Sequence, residues 1–276
     1  MKSVLITGGS GFIGLHLAKF LLKKNYRVHV LDNFSRGTKD YNFKKILLNK
    51  SFKLYEKDLI SKKSINIKHQ YDYIFHFAAI VGVSNVIDRP YKVLSDNILM
   101  LEKIINFAKK QKKLKRFFFS SSSEVYADTI RYKLAKIPTD ENVILTIKNF
   151  KSKRSSYLIS KIYGESMCFH SELPITIIRP HNIYGPRMGM SHVIPELIKK
   201  CHFLKNKGKL EVYSPSHIRT FCYIDDAVRM IFKIMSKKKC VGNIYNIGNQ
   251  NNEISMYNLA KLILKILKKN NFIKKL

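Results

Sequence analysis

The sequence predicts an α/β protein with a doubly wound parallel sheet and a smaller C-terminal lobe. Across the first 120 residues, short β-rich runs alternate with helical patterns, as in a parallel sheet covered by helices on both faces. A glycine-rich turn joins the first strand to the first helix. Prolines interrupt the pattern beyond residue 179, so we expect a main domain at 1–179 and, at 180–276, a lobe whose segments interleave with the main sheet.

Apolar runs and helical spacing predict the individual elements. Six runs rich in apolar residues predict strands at 4–7, 28–32, 52–55, 73–77, 116–119 and 175–179. Helical patterns lie at 11–24, 92–112, 157–171 and 255–269. In the first of them, Ile13, Leu17 and Leu21 fall on one face, which predicts a helix lying against the sheet.

The composition excludes several classes of protein. With 45% apolar and 25% charged residues, the chain has the proportions of a folded protein and not of a disordered one. No apolar run reaches the roughly 18–20 residues of a membrane span, so we expect a cytoplasmic protein without one. The four cysteines lie far apart, and their spacing indicates neither a disulfide framework nor a metal site.

The charge is strongly basic, with 51 Lys and Arg against 19 Asp and Glu and a net charge of +32. Such a balance is typical of nucleic-acid-binding proteins. Here, however, the lysines are spread along the chain in short pairs and seldom alternate with aromatic residues. We therefore expect no nucleic-acid partner, and a positive field that attracts an anionic small-molecule substrate.

The turn after the first strand has the pattern Gly-x-x-Gly-x-x-Gly, at Gly8, Gly11 and Gly14. Glycine permits the sharp turn, the approach of the backbone to a pyrophosphate and close packing of helix on strand. At the start of the helix, the backbone N–H groups, including those of Phe12 and Ile13, face the phosphates. This pattern predicts a dinucleotide site in a Rossmann-type sheet.

Asp32 ends the second predicted strand, where a carboxylate accepts hydrogen bonds from the adenosine ribose. A negative charge at this position repels a 2′-phosphate, so Asp32 favours NAD over NADP. Arg36 lies four residues further on and complicates that preference.

Further motifs follow in order from residue 2 to about residue 270. They are Asp58-Leu59, His76-Phe77-Ala78-Ala79, Asp96-Asn97, Ser120-Ser121-Ser122-Ser123-Glu124-Val125-Tyr126, Tyr157-x-x-x-Lys161, the run from Arg179 to Arg187, and the run from Arg219 to Asp226. Together with the glycine turn, they resemble the extended short-chain dehydrogenase/reductase superfamily, in its nucleotide-sugar epimerase/dehydratase branch.

The resemblance implies a set of cofactor-binding residues for NAD. They are Gly8, Gly11, Phe12, Ile13, Gly14, Asp32, Asn33, Asp58, Leu59, Ala78, Ala79, Asn97, Ser120, Tyr157, Lys161 and Pro180. It also implies a nucleotide-sugar substrate, expected to be a UDP-sugar, and a homodimer. Substrate-binding residues would be Ser123, Asn182, Arg187 and Arg219. Members of the branch continue beyond a helix like 255–269, so we expect a shorter lobe here.

Tyr157 and Lys161 are four residues apart on a predicted helix and therefore project from one face. A free phenol has a pKa near 10 and is a weak base at neutral pH. A neighbouring ammonium, helped by the positive charge of the nicotinamide, stabilises the phenolate, so we expect Lys161 and the bound cofactor together to lower the pKa of Tyr157. The resemblance assigns Ser122 to hydrogen bonding with the reacting sugar oxygen, and the run of serines leaves Ser123 as an alternative.

The sequence leaves several reactions possible after the oxidation of the sugar. In the branch that this sequence resembles, decarboxylases and 4,6-dehydratases carry a carboxylate at the position of Glu124. The 4,6-dehydratases also have an aspartate just before it, where this sequence has Ser123. We expect an epimerase that forms a 4-keto-sugar by transient hydride transfer to NAD⁺. The alternatives are a UDP-glucuronate decarboxylase, a dTDP-sugar 4,6-dehydratase and a non-catalytic dinucleotide-binding regulatory protein.

Overall fold

The computed structural model describes residues 1–205, 208–270 and 272–276. Its strands are β1 (Ser3–Thr7), β2 (Arg27–Asp32), β3 (Phe52–Glu56), β4 (Tyr73–His76), β5 (Arg116–Ser120), β6 (Ile175–Pro180), β7 (Ile183–Tyr184), β8 (Lys209–Val212), β9 (Ile218–Arg219), β10 (Cys222–Tyr223), β11 (Ile244–Ile247), β12 (Ile254–Ser255) and β13 (Phe272–Lys275). The α-helices are α1 (Phe12–Lys23), α2 (Tyr41–Leu47), α3 (Val83–Asp88), α4 (Pro90–Lys109), α5 (Ala127–Arg131), α6 (Ser155–Phe169), α7 (Val193–Phe203), α8 (Ile224–Ser236) and α9 (Met256–Ile266). Short 3₁₀ turns lie at Ser123–Tyr126 and Lys238–Cys240.

Seven strands form one parallel sheet in the order β11-β6-β5-β4-β1-β2-β3. This arrangement confirms the predicted fold class, a Rossmann-type α/β protein. All five residues of β1 and all four of β4 are buried, as expected for strands covered on both faces. The strand order reverses between β1 and β4, and open α/β sheets bind ligands at the carboxyl ends of the strands beside such a point.

The chain divides into two compact units. The first comprises Met1–Pro180 and Asp225–Ile247, and the second comprises His181–Ile224 and Gly248–Leu276. The first long segment of the first unit ends at Pro180. Residues 225–247 run with the first unit because β11 pairs with β6.

In the first unit, α6 packs closely on α4 and on the sheet. Gly164 makes this possible, because a Cβ at that position would lie 2.5 Å from the ring of Phe119 and 3.0 Å from Leu101. The contact fixes the helix that carries Tyr157 and Lys161 against the end of β5. In the second unit, α7 and α9 enclose an apolar cluster that includes Leu197, Cys201, Leu210, Leu259 and Ile263.

Every strand and helix predicted from the sequence is present, with ends that differ by up to three residues. The sequence patterns missed the helices α2, α3, α5, α7 and α8 and all the strands after β6, which have four residues or fewer and include β11 of the main sheet. Over the described residues, no helix combines the length and the apolar character that crossing a membrane requires. The described residues also contain no group of three or more metal-ligating side chains placed to hold an ion.

Candidate active site

The glycine turn lies between the carboxyl ends of β1 and β4. Gly8 has φ +70°, and a Cβ there would lie 2.6 Å from the backbone nitrogen of Ala78. A Cβ on Gly14 would lie 2.4 Å from the carbonyl oxygen of Gly8. Both positions therefore require glycine for close backbone approach. The geometry leaves a backbone-lined turn at the start of α1.

The first turn of α1 has the features of an anion-binding helix end. Gly11 is its N-cap residue, and within the described chain no side chain caps this helix or places an acidic group in its first turn. The backbone N–H groups of Phe12, Ile13 and Gly14 belong to that turn and have no partner within a helix. With the positive end of the helix dipole, these donors fit the pyrophosphate of a dinucleotide.

Asp32 lies at the end of β2 and is 8% exposed. Its two carboxylate oxygens accept backbone hydrogen bonds from Ser10 (2.9 Å) and Phe34 (2.8 Å). Each carboxylate oxygen has two lone pairs, so both keep the capacity to accept a ribose hydroxyl. The carboxylate is thus oriented beside the glycine turn before any ligand binds.

Lys161 is 5% exposed, and its Nζ donates to the carbonyl oxygen of Ser120 at 2.8 Å. The same nitrogen lies 5.6 Å from the centre of the Tyr157 ring. Burial lowers the pKa of Lys161 from 10.5 to about 8, while the charge of Glu165 opposes that change. The structure therefore brings Tyr157, Lys161 and the end of β5 together.

The phenol of Tyr157 faces the segment that follows β5. Ser122 precedes the 3₁₀ turn, and its Oγ accepts from the backbone N–H of Glu124 at 3.2 Å. Hydrogen bonding with the Ser122 side chain lowers the pKa of Tyr157, whereas the nearby carboxylate of Glu124 raises it. Ser123 begins the turn itself and is only partly buried.

Without the nicotinamide charge that the expectation includes, the pKa of Tyr157 lies above its ordinary value. Burial raises the pKa of Tyr157 to about 12, and this effect exceeds the opposing effects of Ser122 and Arg36. The lysine ammonium is directed to the Ser120 carbonyl and not to the phenol oxygen. A proton-accepting phenolate therefore needs further positive charge.

Arg36 is the cation that the sequence did not connect with Tyr157. It belongs to the loop after β2, and its charge lowers the pKa of the phenol. The loop is held close to the glycine turn at the next residue, since a Cβ on Gly37 would lie 1.8 Å from Ser10 Oγ. The glycine after Arg36 was the available signal for this close approach.

The other expected cofactor residues of the first unit have varied surroundings. The side-chain oxygen of Asn97 accepts from the backbone N–H of Ile80 at 2.7 Å. Its side-chain nitrogen donates to the carbonyl oxygen of Ile80 at 3.1 Å and to Ser160 Oγ at 3.3 Å. Leu59 is 4% exposed and belongs to the apolar core. Ala78 donates its backbone N–H to Thr7 Oγ1 at 3.3 Å. Asp58 and Asn33 each accept from a backbone N–H two residues on, Ala79 is partly buried, and Pro180 ends β6.

The remaining expected substrate residues belong to the second unit. Asn182 has φ +39°, and its carbonyl oxygen accepts from Cys222 N at 3.2 Å. Arg187 has φ +68°. Arg219 lies in β9, where it pairs with Ile254 of β12.

Comparison with known proteins finds a family match and similar structures. Residues 4–248 match the model of the "NAD dependent epimerase/dehydratase family". A UDP-glucuronic acid 4-epimerase from Bacillus cereus, in complex with UDP-glucuronic acid and NAD, aligns with 99% of this chain and 86% of its own, with a TM-score of 0.82 and 27% identity.

Two curated relatives carry out other reactions. A dTDP-D-glucose 4,6-dehydratase from Dictyostelium discoideum is 33% identical over 96% of this chain. The chain spans only 62% of that enzyme's length. A UDP-N-acetyl-alpha-D-glucosaminuronate decarboxylase from Bacillus cytotoxicus is 33% identical over 90% of this chain and 75% of its own.

The lowered pKa of Lys161 predicts a pH-dependent stability. In the unfolded chain this lysine holds its proton up to pH 10.5, whereas in the folded chain it releases it near pH 8. Unfolding therefore takes up a proton between pH 8 and pH 10.5. In this range the contribution of Lys161 to the free energy of unfolding rises with pH, by at most about 1.4 kcal/mol per pH unit. Lys161→Met should lack this rise.

Urea unfolding of wild type and Lys161→Met between pH 7 and pH 10 measures the difference. Compared with the wild type, Lys161→Met should be most stable at the lowest pH, where the wild type carries the buried charge. This difference should decrease above pH 8, because Lys161 then loses its proton in the folded wild type. Lys109→Met, which changes an exposed lysine of α4, is the matched control. A stability difference that does not change with pH would contradict the assignment of a buried charge to Lys161.

Proposed function

Because the chain belongs to the NAD-dependent epimerase/dehydratase family, we propose that it epimerises a nucleotide-sugar through a keto-sugar intermediate. The observation that carries the proposal is the meeting of Tyr157, Ser122 and the buried Lys161 at the carboxyl end of β5. A phenol, a hydroxyl and an ammonium in one place suit the removal and return of a proton on a sugar alcohol. The expected position of reaction is the sugar O4.

The residues of the glycine turn and of β2 would hold NAD, the cofactor of the family. The N–H groups of Phe12 and Ile13 suit its pyrophosphate, and Asp32 suits its adenosine ribose. Lys161 would hold the nicotinamide ribose while it remains bonded to the Ser120 carbonyl. When bound, NAD⁺ supplies the hydride acceptor and additional positive charge.

Tyr157 would act as the general base and then as the general acid. Its Oη takes the proton of the sugar hydroxyl as the carbinol becomes a ketone, and it gives the proton back when the ketone is reduced on its other face. Ser122 can donate to the sugar oxygen and orient it toward the phenol. The raised pKa of Tyr157 keeps the phenol protonated in the free protein, so proton removal depends on cations gathered in the complex.

Glu124 supports a second candidate, a lyase reaction after the same oxidation. The charge of its carboxylate raises the pKa of Tyr157, so Glu124 lies near the phenol and would be available for a proton transfer next to the ketone. Elimination of water across two carbons needs both a base and an acid. The turn offers one carboxylate, because Ser123 precedes Glu124, and this supports epimerisation over 4,6-dehydration.

We propose that the first unit binds NAD and that the second unit binds the sugar nucleotide. The nucleotide would be a uridine diphosphate, bound with the help of Asn182, Arg187 and Arg219, while Ser123 contacts the sugar. A guanidinium matches a diphosphate because its planar fork donates two charge-assisted hydrogen bonds. The net charge of +32 supports an anionic substrate of this kind.

We also propose a homodimer formed through α4 and α6, which pack on each other in the first unit. Large apolar side chains on these helices are exposed, among them Leu99 (41%) and Tyr163 (51%). Exposed aromatic and aliphatic side chains on adjacent helices do not stabilise a monomer, whereas a self-complementary contact between two copies would remove them from water.

Purified protein with NAD⁺ should convert one member of a panel of UDP-, dTDP- and GDP-sugars. Mass spectrometry and NMR of the product distinguish an unchanged mass with inverted configuration from loss of CO₂ or of water. Tyr157→Phe should lower turnover by at least about 100-fold, as expected for loss of a general base. Its Kd for NAD should change by less than a factor of two. Unchanged turnover of this variant would remove Tyr157 from the mechanism.

Asp32→Ala should weaken NAD binding by about 10-fold, since the variant loses hydrogen bonds to the ribose. Binding of NADP should weaken less, because the substitution also removes the repulsion of a 2′-phosphate. Calorimetric titration with each dinucleotide measures both affinities. Equal weakening of NAD and NADP would contradict the assignment of Asp32 to the ribose.

Light scattering coupled to size exclusion should give twice the chain mass for the wild type. Leu99→Asp with Tyr163→Asp places charge in the proposed contact and should yield monomers. Lys109→Asp, a charge change at an exposed residue in the last turn of α4, is the control. A monomeric wild type at micromolar concentration would contradict the dimer.

A further inference from the structure

We propose that Arg179 is a positioning residue that holds α6 and the Ser122–Tyr126 segment in one geometry, so that Tyr157 stays aligned with Ser122. The proposal rests on the function proposed above. Tyr157 and Ser122 come from separate parts of the chain, and their alignment requires α6 and the segment after β5 to be held together. One buried guanidinium contacts both.

The contact with α6 is a bidentate ion pair. Arg179 Nε donates to Glu165 Oε1 at 2.8 Å, and its second terminal nitrogen donates to Glu165 Oε2 at 2.6 Å. Glu165 lies four residues after Lys161 and eight after Tyr157 on the same helix. The fork therefore restrains both the position and the rotation of the helix.

The contact with the turn is made by the remaining terminal nitrogen. It donates to the hydroxyl of Tyr126 at 2.6 Å and to the carbonyl of Glu141 at 2.9 Å. Tyr126 is fully buried and lies four residues after Ser122. Its hydroxyl in turn donates to Asn246 Oδ1 at 2.9 Å. The 3₁₀ turn is thereby tied to the same guanidinium as α6.

Two further bonds connect this network to the rest of the first unit. The backbone N–H of Asn246 in β11 donates to Glu141 Oε1 at 2.8 Å, and its side-chain amide donates to the carbonyl of Thr139 at 2.9 Å. The segment around Thr139–Glu141 lies between the two catalytic segments in the sequence. The network therefore joins β6, β11, α6 and the 3₁₀ turn.

The burial of the pair argues for a role beyond stability. Arg179 is 2% exposed and Glu165 is 5% exposed. Apolar residues of the same size often stabilise a protein as well as a buried ion pair does. An arginine fork, however, sets direction and distance, and a displacement of about 1 Å between reacting groups can cost about 100-fold in rate. The charge of Glu165 also opposes the lowering of the Lys161 pKa by burial.

Tyr126→Phe tests the proposal with the smallest change, the loss of one hydroxyl from the network. The matched control is Tyr71→Phe, which removes an equally buried hydroxyl bonded at 2.7 Å to Nδ1 of His29 in β2, a residue outside the Arg179 network. Both variants should lose a similar amount of stability. Only Tyr126→Phe should lower kcat, by about 10-fold, with KM for the sugar nucleotide and Kd for NAD within a factor of two.

Hydrogen exchange gives a readout that does not require a known substrate. Tyr126→Phe should speed amide exchange both in residues 122–126 and in the first two turns of α6, whereas Tyr71→Phe should change neither. Arg179→Lys keeps the charge but loses the fork, and it should speed exchange in the same two segments. If either variant speeds exchange in one segment alone, the two are not coupled through Arg179 and the proposal fails.

The outcomes separate this inference from the proposed function. An inactive wild type over the whole sugar panel overturns the function, while the exchange pattern still decides the coupling. An active wild type whose kcat is unchanged by Tyr126→Phe overturns the positioning role. A lower kcat in both Tyr126→Phe and Tyr71→Phe assigns the loss to stability and also overturns it.

Discussion

The close approach of two backbones at the point where the strand order reverses is the constraint on which the site depends. Gly8 lies against the backbone of Ala78, and Gly14 lies against the carbonyl of Gly8. This contact places the start of α1 at the carboxyl edge of the sheet, where its N–H groups can meet phosphates. A side chain at either glycine would move the helix, and with it the position of every group that faces the turn.

Desolvation controls the electrostatics of the catalytic group. Burial raises the pKa of Tyr157 to about 12 and lowers that of Lys161 to about 8, so each change favours the neutral form. The protein alone therefore keeps the phenol protonated. In the proposed mechanism, the base is formed only when further positive charge is present, which couples proton removal from the sugar to cofactor binding.

The rigidity of α6 connects the fold with the proposed chemistry. Gly164 lets the helix lie directly on Phe119, and Glu165 beside it binds the guanidinium of Arg179. Lys161 lies about one turn and Tyr157 about two turns before Glu165 on the same helix. Contacts that look purely structural therefore set the distance between the phenol and Ser122 in the proposed mechanism.

The sequence alone determined the parallel sheet, the glycine turn, Asp32 at the end of β2 and the spacing of Tyr157 and Lys161, because these depend on local periodicity and on residues close in the chain. Only the tertiary structure decided that β11 joins the sheet, that Arg36 acts on Tyr157 and that Arg179 bridges Glu165 and Tyr126. It also showed that burial raises the pKa of Tyr157 in the protein alone. Desolvation and long-range pairing depend on every segment that surrounds a group, and no local pattern records them.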